Sequence, residues 1–226
     1  MVLEKEVASW WFKDESETVF YVDKDTFAKL AEMTMKVTSV LVDNELFVPE
    51  KVVFFNRWHI YKNKKYARSF GKEIEPLYCV AADACRLHDL ILERVLNEQS
   101  SCDFSFPAQL EVIGQGIIRD CLGRKQQQAN AVSIWSLFMD VATVNVITHS
   151  DAWLPYTIGA IPIPQPEVYE NNAPLLEKAL LEIENKLGWP GDGLDSSFCA
   201  INGYRLENLR DGFGDLLAVD ENGHIL

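Results

Sequence analysis

Residues 131–150 read AVSIWSLFMDVATVNVITHS, and this run constrains the fold more than any other part of the chain. Val, Ile and Thr are stiff at χ1 and pack well on a pleated surface, so their density over 141–149 predicts one or two central strands. The first half, 131–140, also admits a helix. No apolar run reaches the roughly 20 residues that a membrane-spanning helix needs. The opening MVLEKEVASWWFKDESE carries charges where a signal peptide would need its apolar stretch, so the expected location is the cytoplasm.

Helical spacing is clearest in NAPLLEKALLEIENKLG (172–188). Asn172 is placed to cap it and Pro174 suits a first turn. Leu176, Leu180, Ile183 and Leu187 make one apolar stripe. Lys178–Glu182 and Glu182–Lys186 are i,i+4 charge pairs, and Gly188 is a natural stop. A short helix capped by Asp25 places Phe27, Leu30, Ala31 and Met35 on one face. Pro76 opens another that runs to about Asn97, through Val80, Ala84, Leu87, Ile91 and Val95. A further helix is expected from Pro107 to near Gly123, although Gly114 and Gly116 weaken it.

Strand signals occur in TVFYVD (18–23), in VTSVLVDNELFVP (37–49) with a turn at Asp43-Asn44, and in KVVFFNRWHIY (51–61). They recur in FCAINGYRL and DLLAVDENGHIL near the end, where Asn222-Gly223 suits a tight turn. No repeat is evident. The expected fold is α+β, a mixed or antiparallel sheet with three or more packed helices in a single compact chain. One domain over 1–226 is expected, with two packed halves at about 1–75 and 76–226 as the other arrangement.

Charge is unevenly spread. The net charge is −13, yet residues 76–226 alone hold 9 basic and 21 acidic side chains, a net of −12. No Lys or Arg occurs from Gln126 to Glu177. The stretch Lys51–Lys72 reverses this, with seven basic residues and no acid. Arg57, Lys62, Lys64, Lys65 and Arg68 interleave there with Trp58, Tyr61 and Tyr66, the composition that holds single-stranded nucleic acid. The acidic body works against that reading and favours a basic protein partner.

Catalytic and metal motifs are incomplete. Five cysteines without a CxxC pair argue against a disulfide framework and a zinc knuckle. Cys79, Cys85 and Cys121 are expected as buried thiols. Cys85 and His88 would share a helix face, but two ligands do not make a metal site. The GQG at 114–116 lacks the rest of a dinucleotide fingerprint, and there is no P-loop. No metal and no cofactor are expected.

The stretch THSDAWLPY (148–156) sets His149, Ser150 and Asp151 in a row. A nucleophilic triad draws its members from separate segments, so three neighbours do not form one. His149 is nevertheless the candidate base of a hydrolase or transferase, with Asp151 orienting it. The more economical expectation is that Ser150 or Asp151 turns the chain. The proline-rich segment 151–171 that follows is the recognition candidate, with Asp151, Trp153, Tyr156 and Tyr169 as its contacts. The functional expectation is a non-enzymatic, acidic protein-binding module. A bacterial immunity protein that inhibits a basic toxin has this profile.

Overall fold

The computed structural model describes residues 3–16, 18, 22–55, 75–78, 86–98, 106–138, 140–194 and 196–226. Residues 19–21 of the expected strand 18–23, residues 56–72 of the basic stretch, residues 79–85 of the helix expected from Pro76, and Cys79, Cys85 and Cys102 lie outside them. That helix does not open at Pro76: Leu77–Tyr78 pair as a short strand, and the described helix there begins at Leu87.

An antiparallel sheet organises the chain. Its strands are β1 (Ala8–Lys13), β2 (Phe47–Phe55), β3 (Leu77–Tyr78), β4 (Gln109–Arg119), β5 (Lys125–Ala129), β6 (Val132–Phe138), β7 (Ala142–Thr148) and β8 (Gly191–Leu194). The order is β3-β2-β4-β6-β7-β1-β8, with β5 also on β4. Strands from before residue 75, β1 and β2, are therefore each flanked on both sides by strands from after it. Helices α1 (Lys24–Asp43) and α3 (Pro166–Leu187) pack on each other, α1 lies over β6 and β7, and α2 (Leu87–Glu98) packs beside α1. A separate hairpin joins β9 (Cys199–Asn202) to β10 (Arg205–Asn208). No helix among the described residues is long and apolar enough to cross a membrane.

β7 is the central strand that its sequence predicts, and all seven of its residues are buried. The segment before it is strand β6, not helix. Asn130, with φ 58°, bends β5 into β6, so both pair with the same edge of β4.

The helix expected after Pro107 is instead β4. Its residues alternate strictly between half-buried and buried, with Leu110, Val112, Gly114, Gly116 and Ile118 inward. The two glycines that disfavour a helix are what the strand needs. A Cβ on Gly114 would lie 2.1 Å from the Val48 carbonyl oxygen, and one on Gly116 would lie 2.6 Å from the Ala131 methyl.

α1 is longer than expected and absorbs VTSVLV. Leu30, Thr34, Val37, Thr38 and Leu41 continue one buried face. The buried hydroxyls cost little, because Thr34 donates to the Leu30 carbonyl (2.7 Å) and Thr38 to the Thr34 carbonyl (2.8 Å). Thr34 is also 2.7 Å from the Ser136 hydroxyl, which docks α1 on β6. The cap is Asp23 rather than Asp25: its carboxylate accepts from the Thr26 amide, and Thr26 accepts from the Asp23 amide.

α3 starts six residues before the expected cap. Pro166 fills its first turn, and Pro174 lies inside the helix. Asn172 does not cap it. Fully buried, Asn172 donates to the carbonyls of Arg119 (2.7 Å) and Val168 (2.7 Å) and accepts from the Arg119 amide (2.8 Å), fixing α3 to the end of β4. Leu176, Leu180 and Ile183 enter the core and Leu187 packs against it half-buried. Glu182 accepts from Asn44 (2.9 Å) and Lys186 donates to Ser39 (2.9 Å), so these charges join α3 to the α1 region. Gly188, with φ 80°, ends the helix.

The last segment forms single bridges, Arg210↔Leu216, Gly159↔Val219 and Val219↔Ile225, in place of the strand expected at 215–226. Asn222-Gly223 does turn, with the Gly223 amide on the Asp220 carbonyl. Cys199 is buried, whereas Cys121 is exposed in the β4–β5 turn, contrary to its apolar sequence context.

Two outcomes test this packing. Leu180→Ala is expected to cost about 2–5 kcal/mol, read by urea unfolding, as large-to-small core substitutions do. Tyr204 accepts from the Gly191 amide (2.8 Å) and donates to Glu184. Burial first, and then the Glu184 hydrogen bond, push its phenol from 10 to about 12. The folded state thus holds this proton more tightly than the unfolded chain does. The contribution is complete below about pH 10 and is lost as pH rises from there through about 12. Alkaline unfolding curves of the parent should show this fall, and Tyr204→Phe should remove it.

Candidate functional site

The polar row at the end of β7 divides between two environments. His149 is held by its backbone: its amide donates to the Ala131 carbonyl (3.0 Å) and its carbonyl accepts from Leu3 (2.6 Å). Its ring nitrogen Nε2 lies 3.3 Å from the Ser133 hydroxyl. Ser150 then accepts from the Ala152 amide (3.2 Å) and caps a 3-10 turn over Asp151–Trp153. Asp151, fully buried, accepts from the Ile158 amide (3.2 Å). His149 and Asp151 thus serve different groups, and the expected base–orienter pair is not assembled. Among the described residues no carboxylate bonds the other ring nitrogen of His149. Ser133 and His149 make a polar contact without the third member that a nucleophilic triad requires.

Beside that contact the face of the sheet carries a half-open pocket. A cavity of about 380 Å³ is lined by Ser133 and Trp135 of β6, Glu111 and Ile113 of β4, His149, and Glu4 of the N-terminal segment, among others. Among the described residues no three His, Cys, Asp or Glu side chains are placed to hold a metal ion.

On the other side of the row, the chain doubles back over 154–165. Gln165 closes the base, donating to the carbonyls of Asp151 (2.7 Å) and Leu154 (3.0 Å), while its amide donates to the Pro155 carbonyl (2.9 Å). Thr157 and Ile163 bond across the loop, amide to carbonyl and amide to hydroxyl, each at 3.0 Å. Asn208 of β10 clamps Tyr156 through both its amide and its carbonyl, each at 3.0 Å. Gly159 bridges to Val219. The loop is therefore braced from three directions.

This bracing changes which residues face outward. Trp153 is wholly buried, as is Asp151, so neither offers a surface to a partner in this conformation. Tyr156 is half-buried, and Tyr169 lies half-buried in the first turn of α3. The exposed tip is aliphatic: Ile161 is 79% and Ile163 60% exposed, flanked by exposed Ala160 and Pro164. The sequence signal was the alternation IPIP, since prolines deny the strand pairing that would bury its isoleucines. The basic residues Arg57, Lys62, Lys64, Lys65 and Arg68 lie outside the described residues.

No family model, curated protein or solved structure matches this chain. The functional reading therefore rests on the chain's own geometry.

Removing the Asn208 clamp should loosen the loop without unfolding the sheet. In Asn208→Ala, amide hydrogen exchange at Tyr156 should rise on the order of 10- to 100-fold, the effect of losing about 1–3 kcal/mol of local hydrogen bonding. Exchange within β7 should stay at the parent rate.

Proposed function

We propose that this chain is a non-enzymatic protein-binding module, acting in the cytoplasm, that docks a basic protein through the braced 157–163 loop. The observation that carries the reading is the exposure of Ile161 and Ile163 on a backbone held at both sides. Isolated apolar residues on a surface are ordinary. Two isoleucines two residues apart, with Ala160 and Pro164 beside them, make a continuous apolar tip. A stiff loop loses little conformational entropy on binding, so its contacts convert efficiently into affinity.

The surroundings supply the sign of the partner. Glu167 and Glu170 are exposed at the start of α3, and no Lys or Arg occurs from residue 126 to 177. An acidic field speeds encounter with a basic surface, while buried apolar contacts govern dissociation. An immunity protein that blocks a basic bacterial toxin has this design, and that is the role we assign.

Quantitative capture with the parent and with an Ile161→Asp/Ile163→Asp double variant tests the docking element. A partner held by the parent should dissociate from the variant on the order of 10-fold faster or more, as loss of an interface hot spot implies. Neutralising Glu167 and Glu170 should slow association and flatten its salt dependence. A partner whose kinetics ignore both changes would place the interface elsewhere.

A further inference from the structure

We propose that the cavity beside His149 binds a guanidinium group. The sheet register sets Glu111 on β4 opposite Trp135 on β6, and opposite Val53 on β2 on its other side. A carboxylate between an indole and a valine adds little to sheet packing. Among the described residues the side chains of Glu111 and Glu4 make no hydrogen bond or ion pair, and both residues line the cavity. No Lys or Arg is among the cavity's described lining residues. Trp135, 39% exposed, lines the same space. Two residues along β6, Ser133 is 9% exposed and held against His149, which fixes the polar floor.

These groups match one ligand chemistry. A cation beside an indole is attracted by the ring quadrupole, and a guanidinium adds planar stacking that an ammonium lacks. Its fork of N–H donors meets a carboxylate in two parallel bonds, and Glu111 adjoins the indole where such a fork would reach it. Glu4 offers a second anion from a different segment. The volume of about 380 Å³ accommodates a guanidinium with its aliphatic stem. The source of the group is either a small guanidino compound or an arginine side chain of a partner. The proposal is independent of the loop reading, because Ile161→Asp/Ile163→Asp should leave it intact.

The test is an NMR titration, with calorimetry in parallel, using agmatine, the peptide acetyl-Gly-Arg-Gly-amide and butylamine as probes. Agmatine or the peptide should shift the Trp135 indole and Ser133 amide signals and saturate at millimolar concentration or below. Butylamine should bind at least several-fold more weakly. Glu111→Gln should weaken binding on the order of 10-fold, the loss expected for a charge-assisted bidentate pair. Glu4→Gln, on an exposed segment, should weaken it several-fold with the fold undisturbed. Tighter binding of the peptide identifies an arginine side chain as the source, and tighter binding of agmatine a free compound; either supports the site. The proposal is overturned if neither guanidino probe shifts these signals at tens of millimolar, if butylamine binds equally well, or if both glutamine variants bind like the parent.

Discussion

A strand without one exposed residue must be covered on both faces, and β7 imposes that demand on the rest of the chain. On one face the demand is met by α1, which reaches β6 and β7 and fixes its position through the Thr34–Ser136 hydroxyl contact. On the other face Asn145 lies between its cross-strand neighbours Trp11 and Trp135. The cost is visible: among the described residues, Asn145 Oδ1, Ser9 Oγ and Trp11 Nε1 are buried on or beside this strand without a hydrogen-bond partner. Each such atom forgoes about 1–3 kcal/mol of solvation. The apolar burial of Val144, Val146, Trp10 and Phe12 on the opposite face offsets it.

The sequence was readable where one physical requirement acted alone. β-branched density marked β7, and the leucine stripe of α3 marked its buried face, because neither signal had a competitor. It misled where local propensity and tertiary need diverged. Gly114 and Gly116 serve close approach of β2 and of the β5–β6 corner, a need that exists only once those segments are neighbours. VTSVLV has the composition of a strand, yet its threonines satisfy their hydroxyls on helical carbonyls, so the face of α1 continues through it. Asn172 has the chemistry of a cap, and a partner 53 residues away in sequence uses that chemistry instead.

The candidate site shows the same division. THSDAWLPY announced a chain reversal, and the Ser150 cap and the Asp151–Ile158 bond perform it. Trp153 reads as an interface anchor in a list of residue types, but a fully buried indole is the foundation on which the loop stands. The residues left outward, Ile161 and Ile163, carry no polar chemistry and so offered little to motif-based reading. The Glu111–Trp135 adjacency was invisible for another reason, since only the register of β4 against β6 brings positions 24 apart side by side.

The position of β1 has a consequence for how the protein is made. Its strand neighbours are β7 and β8, so Ala8–Lys13 has no sheet to join until residues 142–148 have been synthesised. At typical translation rates that delay is on the order of ten seconds. During it Trp10, Trp11 and Phe12 remain without their native cover, in a segment that is made before its sheet partners. Such a nascent chain is a natural client for chaperones that hold emerging aromatic stretches, and its yield should depend on them more than its final stability would suggest.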